Sequence, residues 1–411
     1  MELRRALSRG PATPPARRTA RNVVALGGAS LFMGVSSFMI LGLLPAFLVT
    51  VLGASALWVG AIEGAAESTA SLVKVVSGAV SDRMGSRKPL VVAGYALASA
   101  MKILFPLAHH PLEVLIARVF DRVGKGMRDA PRDALIADIT TRAQRGWSFG
   151  LRFSLFSAGA MIGPVVAMAL MALTHDRFRV VFAVALIPAF LSALMVLLAV
   201  EERPDPSRRP RRRLRRPRDL LLLPVGVWWP IAFAAALTFA RVGQAFLLLK
   251  ALRVGVDPAF IPMVVVVTHG IYSTTSYPFG VLADMIDRRA MLALGLALLV
   301  AADGVLALAG SVALTALGAA LWGMQMGAVQ GAIGASIADA APISLRGLAF
   351  GAADLIVGLA ALLASFAAGA LWMVGGAALV FGGAAAVAAL VGGGTLVAWR
   401  LRVPAPVPAL R

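Results

Sequence analysis

Apolar runs of about 20 residues recur along this chain from Val23 almost to its end, and short turns rich in Gly, Pro and Arg separate them. About 20 apolar residues are what a helix needs to cross the hydrocarbon core of a bilayer. Twelve such windows lie at about 24–48, 57–79, 89–108, 112–136, 147–172, 179–200, 224–249, 259–282, 290–309, 312–336, 348–372 and 376–399, called spans 1 to 12 below. The pattern predicts an all-α integral membrane protein with twelve transmembrane helices. The first run, Val23 to Val51, is interrupted only by small residues and one Pro. It is about twice as long as a signal-peptide core and lacks a small-x-small ending, so it is expected to stay as the first membrane helix.

Composition agrees with that pattern. Of 411 residues 59% are hydrophobic and 14% charged, with a mean hydropathy of +0.85. A water-facing surface needs about a quarter charged, so soluble, disordered and collagen-like classes are excluded. There is no cysteine, which removes disulfides, thiolate metal sites and cysteine nucleophiles.

The net charge of +19, from 39 Lys and Arg against 20 Asp and Glu, is concentrated. Of the 39 basic residues, 26 fall before span 1, after span 12, or in the turns following even-numbered spans, while the opposite turns hold about two, Arg177 and Arg253. The positive-inside rule therefore predicts cytoplasmic termini in a bacterial-type inner membrane. The divisions expected are a basic N-terminus (1–22), a six-helix bundle (23–200), a basic linker (201–222), a second six-helix bundle (223–399) and a tail (400–411). The linker's nine arginines have no aromatic residue among them on which bases could stack. Anionic lipid is its expected partner, and nucleic acid is not.

The halves repeat each other. SGAVSDRMGSRKPLVVAGYAL from Ser77 aligns with FGVLADMIDRRAMLALGLAL from Phe279, and ADITTRAQRGWSFG from Ala137 aligns with ADAAPISLRGLAFG from Ala338. The offsets are 202 and 201, so an even-numbered unit has been duplicated in parallel. The stretch from Gly78 to Lys88, GAVSDRMGSRK, resembles the G-x-x-x-D-R-x-G-R-R loop of the major facilitator superfamily, and the likeness covers the whole chain. Stretches such as RVFDRVGKGMRDAPRDALIAD and GQAFLLLKA are similar to a poorly characterised bacterial and archaeal branch of it.

That resemblance implies cytoplasmic ion pairs that form a gate. They draw on Gly78, Asp82, Arg83, Gly85, Arg87, Asp138 and Arg145 in the first half and on Asp284, Arg288, Arg289, Asp339 and Arg346 in the second. The second copy is altered, with Met285 where Arg83 stands and Asp287 where Gly85 stands. The alternative is that these residues merely anchor helix ends. On span 5, Gly159, Gly163 and Pro164 resemble the core of the family's antiporter motif, although the glycines that usually follow are missing. Small residues at this spacing also serve plain helix packing.

Charges inside spans are functional candidates by default. Glu63 and Glu67 lie one turn apart on span 2 with Lys74 further along that face. Span 4 carries Arg118, Asp121, Arg122, Lys125, Arg128, Asp129, Arg132 and Asp133, and positions 118, 122, 125, 129 and 132 form one helical stripe. Either span 2 glutamate can couple transport to protons, or Glu67 can simply neutralise Lys74 or a span 4 arginine. Arg241, Asp303 and Asp354 are further pathway candidates; His109 and His110 read as a solvated turn, and His269 with Tyr272 as interhelical hydrogen bonding.

Where the branch carries acids on span 1, this chain reads Ser36 and Ser37 between Gly34 and Met39, and Phe156 and Gln330 replace expected acids on spans 5 and 10. A central cavity richer in basic than acidic groups predicts a small, negatively charged solute. The expected function is a secondary transporter working by alternating access as a monomer, with no cofactor beyond the proton gradient. Export by proton antiport is expected ahead of uptake by symport. No ATP-binding loop, hydrolase motif or metal motif is present, so an enzyme is not expected. A non-transporting sensor on the same scaffold is the alternative of another class.

Overall fold

The computed structural model describes residues 14–82, 84, 86–202, 223–342 and 345–401. Among them the regular structure is helical throughout. The first half comprises α1 (Pro14–Ala46), α2 (Ala56–Ser81), α3 (Lys88–Met101), α4 (Leu104–Leu107), α5 (Pro111–Ile139), α6 (Arg142–Leu173), α7 (Phe178–Val184) and α8 (Leu186–Ala199). The second comprises α9 (Val225–Ala240), α10 (Gln244–Arg253), α11 (Met263–Met285), α12 (Arg288–Leu308), α13 (Val312–Ala340) and α14 (Arg346–Leu401).

Local chemistry starts these helices. At α5, the His110 ring nitrogen accepts from the Leu112 amide and Pro111 occupies the first turn. Thr141 and Gln144 form a capping box for α6, and Asp287 and Ser311 cap α12 and α13. Nine described helical segments are long and apolar enough to cross a membrane. One of these, α14, is two helices joined across a kink at Gly376, whose φ of 63° and ψ of −158° favour glycine, at the start of the window expected for span 12. Adding the more polar α2 and α5 gives a total that fits twelve.

Three expected spans are not single straight helices. Span 3 divides at Lys102 and Ile103, span 6 at Ala185, and span 7 at Arg241–Gly243. In the last of these the backbone leaves the helix, Arg241 having ψ 109° and Gly243 ψ 144°.

Each half packs by the same scheme. In the first, α1 lies against α6 and α8, and α5 against α2 and α3; in the second, α13 lies against α11 and α12, and α14 against α9 and α12. Across the halves, α2 meets α14, α6 meets α11, and α1 meets α10. One apolar core belongs to both halves and surrounds the turns after α1, α4, α6 and α10, joining Phe47, Phe105 and Phe182 to Phe246, Ile261 and Phe381. This is the closed end. Toward the opposite, basic end the cores are separate, with Leu26, Tyr95 and Ile136 in the first half and Ile231, Met291 and Ile337 in the second.

The glycines of span 5 have a packing role in this arrangement. A Cβ at Gly163 would stand 2.5 Å from the Val35 carbonyl oxygen and 3.1 Å from the Met39 nitrogen, so α6 and α1 touch backbone to backbone there. Gly163→Ala is expected to cost about 1–3 kcal/mol through overpacking. Gly150→Ala, with nothing within 4 Å of its Cβ, is expected to be neutral or to gain up to about 1 kcal/mol in helix propensity. Thermal unfolding of the two purified variants checks the opposite signs.

Candidate functional site

A polar network fills the interior of the first half. Its backbone is α5, whose charged stripe faces α2 and α3 rather than lipid. Arg118, 2% exposed, donates to both carboxylate oxygens of Glu63 at 3.1 and 3.3 Å and lies 3.7 Å from Asp121. One turn on, Arg122 lies 3.5 Å from Glu67. Nearer the basic end Arg128 covers the Tyr95 ring at 4.8 Å, Asp129 pairs with Arg132 at 3.0 Å, and Asp133 lies between Arg132 and Arg152 at 3.0 and 3.6 Å. Lys125 lies in the fields of both Glu67 and Asp129. Each buried arginine of α5 thus has a carboxylate or an aromatic face beside it, as a low-dielectric interior requires.

Sequence reading passed over Lys102. It is 1% exposed on the break between α3 and α4, and donates to Ser36 at 3.0 Å and Ser37 at 2.7 Å. Those two serines occupy the stretch of span 1 where acids were expected, so a buried ammonium rests on hydroxyls, with Asp121 the carboxylate acting on it. A lysine in the middle of an apolar window was the available signal.

Glu67 and Lys74 are not partners. Lys74 reaches across to the second half and binds Asp354 of α14 at 2.8 Å, while Glu67 takes Arg122. Seven residues of helix separate the two side chains by about 10 Å along the axis, which is why a shared face did not make a pair.

A cavity of about 290 Å³ lies between the halves, level with these groups. Glu63, Glu67, Arg118 and Arg122 line it from the first half; Arg241, Gln244, His269 and Trp322 line it from the second. Three basic side chains against two acidic ones leave it net positive. Arg241 projects from the break in span 7, and its guanidinium lies 5.2 Å from the Trp322 ring centre. Among the described residues no carboxylate is within ion-pair distance of it. The buried Gln244 side-chain nitrogen next to it has no hydrogen-bond partner. His269 packs edge-on to Phe38 at 5.0 Å, and Tyr272 lies one turn away, half-buried. Phe156 also meets Phe38 edge-on, with ring centres 6.1 Å apart.

At the basic end Arg87 joins Asp82 at 3.0 Å and Asp138 at 2.7 Å, all within the first half. Glu202 accepts from Ser86 and from the Arg87 and Lys88 amides, and Glu201 pairs with Arg21, so the start of the linker is tied to the first bundle. Gly78 sits on α2 opposite Ala130 at ordinary contact distance. In the second half Asp287, Arg289 and Asp339 line a separate cavity of about 390 Å³, and Arg346 donates to the Ala338 carbonyl. Arg83 and Gly85 lie outside the described residues, as do the side chains of Arg145, Asp284, Arg288 and Gln330. His109 and His110 sit at the start of α5, where Arg179 approaches the His109 ring at 3.3 Å.

A family model described as Major Facilitator Superfamily matches residues 26–254. An uncharacterized MFS-type transporter of Methanocaldococcus jannaschii is 30% identical over 87% of this chain and 89% of its own length. The multidrug resistance protein MdtH of Aeromonas hydrophila is 30% identical over 47% of this chain and 48% of its own. In fold, the chain resembles a bacterial homolog of the human lysosomal transporter Spinster solved in an inward-facing, occupied conformation. The TM-score is 0.74 at 15% identity, covering 97% of this chain and 100% of that one. A peptide transporter POT in complex with sulfate gives a TM-score of 0.77 at 13% identity over 95% and 98%.

The two kinds of ion pair differ in what their loss costs. Glu63→Gln removes the carboxylate that Arg118 donates to, leaving this buried cation only Asp121 at 3.7 Å, and is expected to destabilise by about 3 kcal/mol. Lys74→Met removes a pair whose side chains are 43% and 40% exposed, and is expected to cost no more than about 1 kcal/mol. Side-by-side thermal unfolding in the same micelle measures the contrast.

Proposed function

The chain belongs to the major facilitator superfamily, and from that membership we propose that it couples the movement of a small anionic solute to the proton gradient by alternating access, as an exporter. It is a multi-pass membrane transporter and not an enzyme. The observation that carries the substrate reading is the basic cavity between the halves, with Arg241, in no ion pair among the described residues, at a helix break in its wall. Interrupted helices near mid-membrane are where transporters of this kind expose charge and free backbone groups to cargo. Arg241, the Gln244 amide and the positive end of α10 then face the cargo's carboxylate together.

Orientation follows from the basic turns, which are assigned to the cytoplasm of a bacterial-type inner membrane and to contact with anionic lipid. On that assignment the closed end is external and the structure is inward-facing. Alternating access separates the shared apolar core and brings the basic ends together, where Asp82, Arg87 and Asp138 meet the second half. Two features support export: the Gly159, Gly163 and Pro164 motif, and the partial likeness to a protein named for multidrug resistance. Uptake by proton symport is the second reading, and the charge of the cavity favours it. An anion and a proton enter a basic site together, whereas exchange requires that one exclude the other.

Proteoliposomes test both readings. Radiolabelled glutarate is expected to move under an imposed pH gradient and tetraethylammonium is not, and Arg241→Gln is expected to slow glutarate at least about tenfold. Movement against the proton flow supports export; movement with it supports symport. A preference for the organic cation overturns the anionic reading, and no movement of either probe, with or without a gradient, favours the sensor.

A further inference from the structure

A second concavity lies within the first half, between α3 and α8, and shares no residue with the cavity between the halves. It encloses about 560 Å³ and is lined by Val92 and Ala96 of α3 and by Ile187, Phe190, Leu194 and Leu197 of α8, with no polar side chain. The four α8 side chains are 46–67% exposed, so no part of the described protein covers them. Ser99 of α3 donates to the Ala189 carbonyl of α8 at 2.7 Å, which fixes the spacing of the two helices. Both belong to segments long and apolar enough to cross a membrane, so the groove faces lipid. From Ile187 to Leu197 it runs ten residues, about 15 Å of helix. Half of a hydrocarbon core about 30 Å thick is the same length, the depth of one leaflet's acyl chains.

A cation stands at the basic end of this groove. Positions 88, 92 and 96 recur every four residues, so Lys88 continues the α3 wall. Its ammonium donates to the carbonyl of Leu197, the last lining residue of α8, at 2.8 Å. An ammonium has three donor hydrogens, which leaves two for another acceptor. Among the described residues no carboxylate is within ion-pair distance of it; Glu202 accepts from the Lys88 backbone amide instead. The repeat supplies a comparison. At the offset of 202, Ala290, Leu294 and Leu298 stand where Lys88, Val92 and Ala96 do. There the cation is missing, and the two leucines pack against the core of the second half. Cation and small floor residue occur together only in the first copy.

We propose that the groove between α3 and α8 binds one anionic phospholipid, with an acyl chain against Val92, Ala96 and the exposed α8 side chains and the phosphate at Lys88. The apolar walls recognise the chain through burial of its surface, and the ammonium recognises the charge at the depth where the headgroup lies. A zwitterionic phospholipid offers the same chain and a phosphate, but its own cationic group competes with Lys88 for that phosphate. Net negative charge is therefore the selected property. This site is independent of the cargo and of the coupling ion, and it lies in whichever leaflet meets the basic end.

The test titrates the whole protein in detergent with dioleoylphosphatidylglycerol or dioleoylphosphatidylcholine and reads the first bound lipid by native mass spectrometry. The unmodified protein is expected to hold phosphatidylglycerol about fivefold more tightly than phosphatidylcholine. Lys88→Gln is expected to lose that preference and Lys88→Arg to keep it. Ala96→Leu, which copies Leu298 and alters an exposed position, is expected to weaken both lipids. Equal binding of the two lipids by the unmodified protein overturns the proposal, and so does a preference that survives in Lys88→Gln, which assigns the headgroup to other basic residues. Binding unchanged in Ala96→Leu places the chain outside the groove and overturns it as well. Thermal unfolding in the same micelle shows that each variant is folded; should Lys88→Gln not fold, loss of the preference in Lys88→Arg or unchanged binding in Ala96→Leu still overturns the site.

Discussion

Two cations of α5, Arg118 and Arg122, draw carboxylates from outside α5, and that requirement organises the first half. Arg118 and Arg122 take Glu63 and Glu67 from α2, which fixes the rotation of α2 about its own axis. With one face committed to α5, another face of α2 meets α14 of the second half. Gly64 approaches the Leu362 carbonyl there, leaving room for a Cβ only at 3.0 Å. A helix that is charged toward its own bundle and smooth toward the other can slide against the latter without breaking the former. Lys74 and Asp354, exposed enough to be solvated when apart, mark where that sliding contact approaches the basic end.

The halves are alike in architecture and unlike in chemistry. The duplicated unit gives both the same helix neighbours, yet the interior charge network belongs almost wholly to the first. The second half instead has Arg241 at a broken helix, a buried Asp303 on α12 and a largely apolar core. Many mutually satisfied pairs make a region stiff, because moving one group strands its partner. Unsatisfied groups have the opposite property, since small changes in charge alter which contact is favoured. The first half thus resembles a fixed wall of the cavity and the second the responsive one.

Much of this was legible in the sequence for reasons of periodicity. Apolar windows, basic turns and the repeat at an offset of about 200 residues are local patterns that survive whatever the partners are. The stripe from Arg118 to Arg132 predicted that one face of α5 had to point inward, and it does. Pairing was less legible. Glu67 and Lys74 share a face but sit too far apart along the axis, and each found its partner on another helix. Lys102 was hidden because the residues that make its burial tolerable, Ser36 and Ser37, lie more than 60 positions away.

What the sequence determined by itself is the membrane-spanning helical class, the twofold repeat and the set of charges that the interior had to accommodate. Hydrophobic transfer is additive along the chain, so these can be read residue by residue. Only the tertiary structure decided which charge meets which, where span 7 breaks, which end is closed, and that the buried Asp303 joins no ion pair among the described residues. Those outcomes depend on distances between helices far apart in sequence, and in a low-dielectric interior a few ångströms separate a stable pair from a stranded charge.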